Sequence, residues 1–235
     1  MTITTVIFDL YGTLVDSPTW QNHRAILTEI AGILSVPAER FIEEWNSSYP
    51  QRARGELPST EAAIVHLSGL LGADPDEMAV REACRLRTEY TRMILTPRPD
   101  AVPTIERLRS MGLTIGLITD CSPETSGLWE ELPFASIFDA TIFSCAVGVK
   151  KPDPEIYGIA CSRLEVRPEA VLYVGDGSSQ ELTGAQAVGM RPVLIDAPHE
   201  RNRDTYRIDE QSWDGVTINV LSEIPDLVER LNETL

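Results

Sequence analysis

At 235 residues, with 43% hydrophobic and 24% charged residues, the chain has room for one large domain or a domain with a smaller companion, and its composition is that of a soluble globular protein. Its 20 basic against 36 acidic residues give a formal charge of −16, which excludes a nucleic-acid backbone as the expected partner. A small anionic substrate needs only a few local Lys, Arg or metal charges. No apolar run approaches the roughly 20 residues that cross a bilayer, and no basic-then-apolar leader is seen, so no membrane association and a cytoplasmic location are expected.

The chain opens on a β-branched and aromatic run from Val6, which predicts a buried strand ending in Asp9 and broken at Gly12. An unpaired charge is costly to bury, which places Asp9 at the strand's open end, where parallel α/β sheets bind ligands. Alone, Asp9 is compatible with a metal ligand, a nucleophile or a helix cap. Asp16-Ser17-Pro18 predicts a turn, with Ser17 as N-cap of a helix running to about residue 35 that carries Ile26, Ile30, Ile33 and Leu34 in phase. Pro37 opens a second helix with Phe41, Ile42, Trp45 and Tyr49, and Pro50 closes it. Residues 51–58 read as a polar loop. Ser59 or Thr60 caps a third helix that Gly72 ends. A fourth follows Asp74-Pro75, with Ala79, Ala83, Leu86, Tyr90 and Met93 at intervals of three or four. The stretch Thr96-Pro97-Arg98-Pro99 reads as a hinge.

Beyond it, helices and strands alternate. Helix 100–111 precedes strand Leu113 to Thr119, helix 123–132 precedes strand Ala140 to Cys145, and helix Pro152 to Leu164 precedes strand Val171 to Val174. Helix Leu182 to Val188, strand Val193 to Ile195, a polar loop over 199–215, strand Val216 to Val220 and helix Ile224 to Leu231 complete the series. This rhythm predicts an α/β fold, a doubly wound parallel sheet built from 1–16 plus 97–235. Residues 17–96 then form an inserted α-helical bundle that projects over the strand ends as a lid.

Asp9, Thr119, the Lys150-Lys151 turn and Asp176 all follow strands and collect on one rim of such a sheet. Carboxylates hold a hard cation such as Mg²⁺, a lysine and a hydroxyl bind an anion, and one carboxylate can attack it. The cysteines, Cys84, Cys121, Cys145 and Cys161, form no CxxC pair, so zinc or a disulfide framework is not expected and Cys121 reads as an inert neighbour of the rim. His23, His66 and His199 match no motif and read as surface or cap residues.

Four segments carry a resemblance. DLYGTLVDS (9–17), LITD (117–120), KKPDPEIY (150–157) and VGDGSSQELTGAQAVGM (174–190) resemble, in order, the four motifs of the haloacid dehalogenase superfamily of hydrolases, mostly phosphatases. The inserted helices resemble that family's small α-helical cap on a Rossmann-like core. The resemblance implies that Asp9 is a nucleophile forming a covalent aspartyl intermediate and that the backbone carbonyl of Tyr11 ligates Mg²⁺. It implies that Thr119 hydrogen-bonds the transferring group and that Lys151 neutralises Asp9 and the substrate, with Lys150 a solvated neighbour. Asp176 becomes the acidic metal ligand. Glu181, where the family usually has Asp, becomes the second acid holding the metal site, directly or through water. Asp120, Arg52 and Arg54 are further candidate substrate contacts.

One departure matters. Family phosphatases usually carry an aspartate at the position of Tyr11, where it protonates the leaving group and activates water. A tyrosine, with an ordinary pKa near ~10, does this poorly at neutral pH. Tyrosine there also resembles the 2-haloacid dehalogenases, whose halide leaves without a proton. Those enzymes need no metal and lack the acidic pattern of Asp176 and Glu181, and their second motif has Asn where this chain has Asp120. The leading expectation is therefore a Mg²⁺-dependent phosphatase of a small phosphorylated metabolite. A 2-haloacid dehalogenase and a weakly catalytic ligand-binding member are the alternatives. Trp20, Trp45 and Tyr49 are core or interface residues, and a homodimer is one arrangement they allow.

Overall fold

The computed structural model describes residues 1–201, 203–206 and 212–233. β1 (Thr5–Phe8) is followed by five helices: α1 (Trp20–Ile33), α2 (Ala38–Ser47), α3 (Tyr49–Ala53), α4 (Thr60–Leu70) and α5 (Glu77–Ile94). The alternating part runs α6 (Ala101–Ser110), β2 (Thr114–Thr119), α7 (Pro123–Leu128), β3 (Ala140–Phe143), α8 (Ser144–Val147) and α9 (Pro154–Arg163). It ends with β4 (Val171–Gly175), α10 (Glu181–Ala187), β5 (Arg191–Ile195), β6 (Thr217–Ile218) and α11 (Ile224–Glu233).

The sheet is parallel throughout, in the order β3-β2-β1-β4-β5-β6. β1 is central, and the chain winds first to one side and then to the other. This places a topological switch point at the carboxyl end of β1, the crevice where doubly wound sheets take ligands. The strands are apolar on both faces because helices cover both. Val6 and Phe8, Ile115 and Leu117, and Leu172 and Val174 pack with Ile105, Leu108, Ile224 and Val228 of α6 and α11. The alternate residues Ile7, Ile118, Val171 and Tyr173 pack with Ile156, Ala160, Leu182 and Ala185 of α9 and α10. Each buried Val, Leu, Ile or Phe contributes about 1.5–3 kcal/mol, which ties the helices to the sheet.

The inserted helices bury their own cluster: Leu27 and Ile30, Phe41 and Trp45, Ile64 and Leu67, and Val80 and Ala83, from α1, α2, α4 and α5. The two crossings between sheet and bundle run side by side, with Val15 bridging Pro97 and the Arg98 amide donating to Leu14 O at 2.8 Å.

Local chemistry shifts several boundaries. Thr19, not Ser17, caps α1, its side chain accepting from the Asn22 amide. Ser17 is instead buried, and its amide and hydroxyl donate to Glu200 at 2.7 and 3.0 Å. Pro50 does not close α2; it stands in the first turn of α3, where its missing N–H costs nothing. Residues 51–53, expected as loop, are therefore helical. Ser59 caps α4 and Asp153 caps α9 by accepting from backbone amides. β3 stops at Phe143 because Ser144 begins α8. Of the polar segment 199–215, residues 202 and 207–211 lie outside the described ones.

Candidate active site

The carboxyl ends of β1, β2 and β4 are level, since Phe8 pairs with both Leu117 and Val174. The residues just beyond them are Asp9, Asp120 and Asp176. Asp9 is anchored through its amide to Val174 O at 2.9 Å and is 4% exposed. Lys151, from the loop after α8, is equally buried and reaches across. Its ammonium lies 2.5 Å from Asp9 Oδ1 and 2.6 Å from Glu181 Oε2.

Burial pushes the Asp9 carboxyl up to about 6, with the Lys151 charge opposing and the Asp176 charge adding to the rise. Burial likewise lifts Glu181 to about 7 against the pull of Lys151. Burial pulls the Lys151 ammonium down, but Asp9 and Glu181 together outweigh it and hold it well above its ordinary value. Lys151 thus bonds two of the three acids gathered here: carboxylate oxygens of Asp9, Asp176 and Glu181 lie within 4.8 Å of one another. Like charges gathered this way, all with oxygen donors, fit a hard divalent cation such as Mg²⁺.

Each predicted residue has a definite place. Asp176 lines the cavity and accepts from the Ser178 amide and hydroxyl at 3.0 and 3.1 Å. Glu181 is wholly buried and both its oxygens are engaged, Oε1 by the Gly177 amide and Oε2 by Lys151 and the Tyr173 hydroxyl. It braces Lys151 and the Asp176 loop from beneath. The left-handed backbone of Ser179 and Gln180, φ +55° and +52°, precedes it. Thr119 ends β2 with its hydroxyl buried and without a hydrogen-bond partner among the described residues, a state that costs about 1–3 kcal/mol unless a ligand meets it. Asp120 lines the cavity, but its Oδ1 accepts from the Lys151 amide at 3.0 Å, so it positions that turn. Lys150 is not merely solvated: it donates to Lys151 O at 2.8 Å and lies 3.5 Å from Asp120 Oδ2. Arg52 enters the cavity wall, whereas Arg54 is exposed and outside it.

The cavity, about 110 Å³, lies between sheet rim and helices. Tyr11 lines it, its hydroxyl 2.9 Å from Thr125 Oγ1, and enclosure holds the phenol above its ordinary pKa. Cys121, read as an inert neighbour, is buried, which pushes its thiol well above the usual range, and its sulfur lies 3.8 Å from Cys145 Sγ. Tyr49 lines the cavity and donates to Asp120 O at 3.2 Å, while Trp45 belongs to the bundle's core.

Four wall residues carried no signal in the motifs. His23, read as a surface or cap residue, stands on α1 among the inserted helices, buried and bonded to Asn46 Oδ1 at 2.9 Å. Tyr206 stacks on it, centroids 4.5 Å apart, delivered by a strap in which its amide donates to Pro18 O and Trp20's amide donates to Asp204 O. Arg87 and Glu124 form a buried pair at 2.9 Å between α5 and α7. The intervals of three and four along the fourth helix assign Leu86 and Tyr90 to one face but say nothing of Arg87.

Known proteins share this arrangement to different degrees. The family model of haloacid dehalogenase-like hydrolases matches residues 3–189. The glyceraldehyde 3-phosphate phosphatase of Methanopyrus kandleri is 37% identical over 132 residues, 53% of this chain and 54% of that protein, so this chain spans about half that relative's length. The phosphoglycolate phosphatase of Salmonella typhi is 31% identical over 200 residues, 80% of this chain and 79% of that protein. The crystal structure of a 2-haloacid dehalogenase from Pseudomonas syringae pv. Tomato DC3000 superposes with a TM-score of 0.73 at 25% identity, covering 98% of this chain and 100% of that one. With the family's motifs gathered on one rim and its model spanning most of the sequence, the chain belongs to the haloacid dehalogenase-like hydrolases.

Proposed function

We propose that the chain is a Mg²⁺-dependent phosphatase of a small phosphorylated metabolite that works through a phospho-aspartate on Asp9. In this reading 1–16 and 97–235 are the catalytic core and 17–96 the cap. The observation that carries it is the cluster of oxygen donors at the rim, where carboxylate oxygens of Asp9, Asp176 and Glu181 lie within 4.8 Å of one another beside the Lys151 ammonium, which bonds Asp9 and Glu181. Asp9, Asp176 and the Tyr11 carbonyl would hold the ion, with Glu181 bracing the site. When bound, the ion supplies charge neutralisation at the phosphoryl group.

The chain's own residues supply the rest. The Asp9 carboxylate attacks phosphorus and displaces the alcohol oxygen. Lys151, held protonated, balances the charge on Asp9 and the phosphoryl group. The unpartnered Thr119 hydroxyl donates to a phosphoryl oxygen. Tyr11 keeps its proton, so the leaving oxygen and the hydrolytic water exchange protons with solvent. Slow turnover of alkyl phosphates and faster turnover of phosphates with acidic leaving groups follow.

Tyr11 also favours a second reading, hydrolytic dehalogenation, because halide departs without a proton. The two separate cleanly. Acetyl phosphate and a panel of small phosphate esters should release phosphate only with Mg²⁺, and both EDTA and Asp9→Asn should abolish it. Halide release from 2-chloropropionate that ignores EDTA, with no phosphate release, would establish the second reading instead.

A further inference from the structure

Two arginines enter the cavity from the helical side, Arg52 on α3 and Arg87 on α5, and both are more than nine-tenths buried. Their guanidinium carbons lie 4.3 and 5.1 Å from the ring centroid of one residue, Trp45. A single carboxylate answers them: Arg87 Nε donates to Glu124 Oε1 at 2.9 Å. Arg52 is held by neutral oxygens, those of Trp45 O, Ser48 Oγ and, at 3.4 Å, Ser122 Oγ. His23, in the same wall, is held neutral by burial and by these arginines. Among the described residues, the two cations on this side have one bonded carboxylate between them, which leaves positive charge on the helical wall of the cavity.

The donors are also unmet. Among the described residues, Arg87 Nη1 has no acceptor, and the Tyr90 hydroxyl, on the same helix and in the same cavity wall, has no partner. The Arg87 guanidinium lies 5.2 Å from the Tyr90 ring centroid. Buried donors are nearly always satisfied, so two together in a cavity wall mark a place for an acceptor. A planar guanidinium with a free edge matches a carboxylate.

We propose that this side of the cavity is a second anion subsite and that the substrate is a phosphate ester of a few carbons bearing a carboxylate away from the phosphoryl group. This rests on the phosphatase reading of Asp9. The cavity's small volume favours a spacer of one to three carbons between the two charges.

The test compares two esters of similar size, phosphoglycolate with a carboxylate and glyceraldehyde 3-phosphate without one. The wild type should give the higher kcat/KM with phosphoglycolate. Tyr90→Phe and Arg87→Gln should each lower the ratio of the two kcat/KM values by about ten-fold or more, the size of a hydrogen bond to a charged group, through KM. Tyr90→Phe removes a hydroxyl bonded to nothing in the protein, so it preserves the fold if Arg87→Gln does not. Glycolate binding measured by calorimetry needs no turnover and should weaken by a similar factor in both variants. If neither ester is hydrolysed but glycolate binds and both substitutions weaken it, the phosphatase reading fails and the subsite stands. A wild-type preference for the ester without a carboxylate overturns the subsite. So does an equal loss on both esters, or glycolate binding that ignores the substitutions.

Discussion

A β-carbon built on Gly12 would stand 2.2 Å from Asp176 Oδ2, so the first and fourth strand ends touch at a point where only glycine fits. Gly12 also holds φ +76°, a backbone conformation that side chains resist. Gly12→Ala should lower stability by about 1–3 kcal/mol through strain and displace Asp176. In the wild type, Mg²⁺ at 100 times its Kd should add about 2.7 kcal/mol of stability. Thermal denaturation with and without Mg²⁺ checks both, and the variant should lose most of the Mg²⁺ increment.

The Lys151 ammonium is the only cation bonded to the buried carboxylates of Asp9 and Glu181 among the described residues. Lys151→Met should therefore cost about 3–5 kcal/mol at pH 8, because it leaves buried charge unpaired. Both carboxyls already have folded pKa values, about 6 and about 7, above their ordinary ones. Such groups stabilise the fold when protonated and lose that contribution as pH rises through the folded value. The penalty in Lys151→Met should accordingly shrink at pH 5. Urea denaturation in EDTA at the two pH values measures it; an equal penalty at both would contradict the assignment.

If Tyr11 transfers no proton, Tyr11→Phe should change kcat for acetyl phosphate by less than about three-fold, far below the 10²–10⁴ of a lost acid–base group. Losing its bond to Thr125 should cost about 1 kcal/mol. Tyr11→Asp restores an acid and should accelerate alkyl phosphates relative to acetyl phosphate. Identical effects on both leaving groups would show that residue 11 does not control protonation.

His23, on the helical side of the cavity, supplies a second pH signature. Burial, and next the Arg87 charge, lower its pKa from 6.5 to about 4. The unfolded chain therefore binds more protons between these values, so the contribution is full above pH 6.5 and is lost as pH falls through 4. The loss amounts to about 3 kcal/mol. The drop in stability from pH 7 to pH 4 should be smaller by that amount in His23→Gln. Parallel pH profiles for the two proteins would show that His23 is not held neutral.

Much of the molecule was legible in the chain because its signals are local. Short continuous apolar runs marked Val6 to Phe8, Leu113 to Thr119 and Val171 to Val174, and proline punctuation marked the hinge near Pro97. The same runs ended in Asp9, Thr119 and Asp176, so the rim residues could be named before their geometry was known. Arg52 and Arg54 show where this stops. Two residues apart on a helical turn, they point in nearly opposite directions, and only the docking of α3 against the core decided that Arg52 faces inward.

The same holds for His23, Arg87, Glu124 and Tyr206. They come from four separate segments and meet only because the helices pack down on the rim and a strap from beyond β5 crosses the hinge. No periodicity or motif records such a meeting. Glu181 was named, from the family resemblance, as the second acid holding the metal site directly or through water. The fold adds what the resemblance did not show, its buried bonds to Lys151 and Tyr173 behind the turn through Ser179 and Gln180. The sequence by itself determined the layers, the rim and the acidic residues on it, because these follow from neighbours in the chain. Only the tertiary structure decided which charges face one another, because that depends on long-range packing and on which charges burial leaves uncompensated.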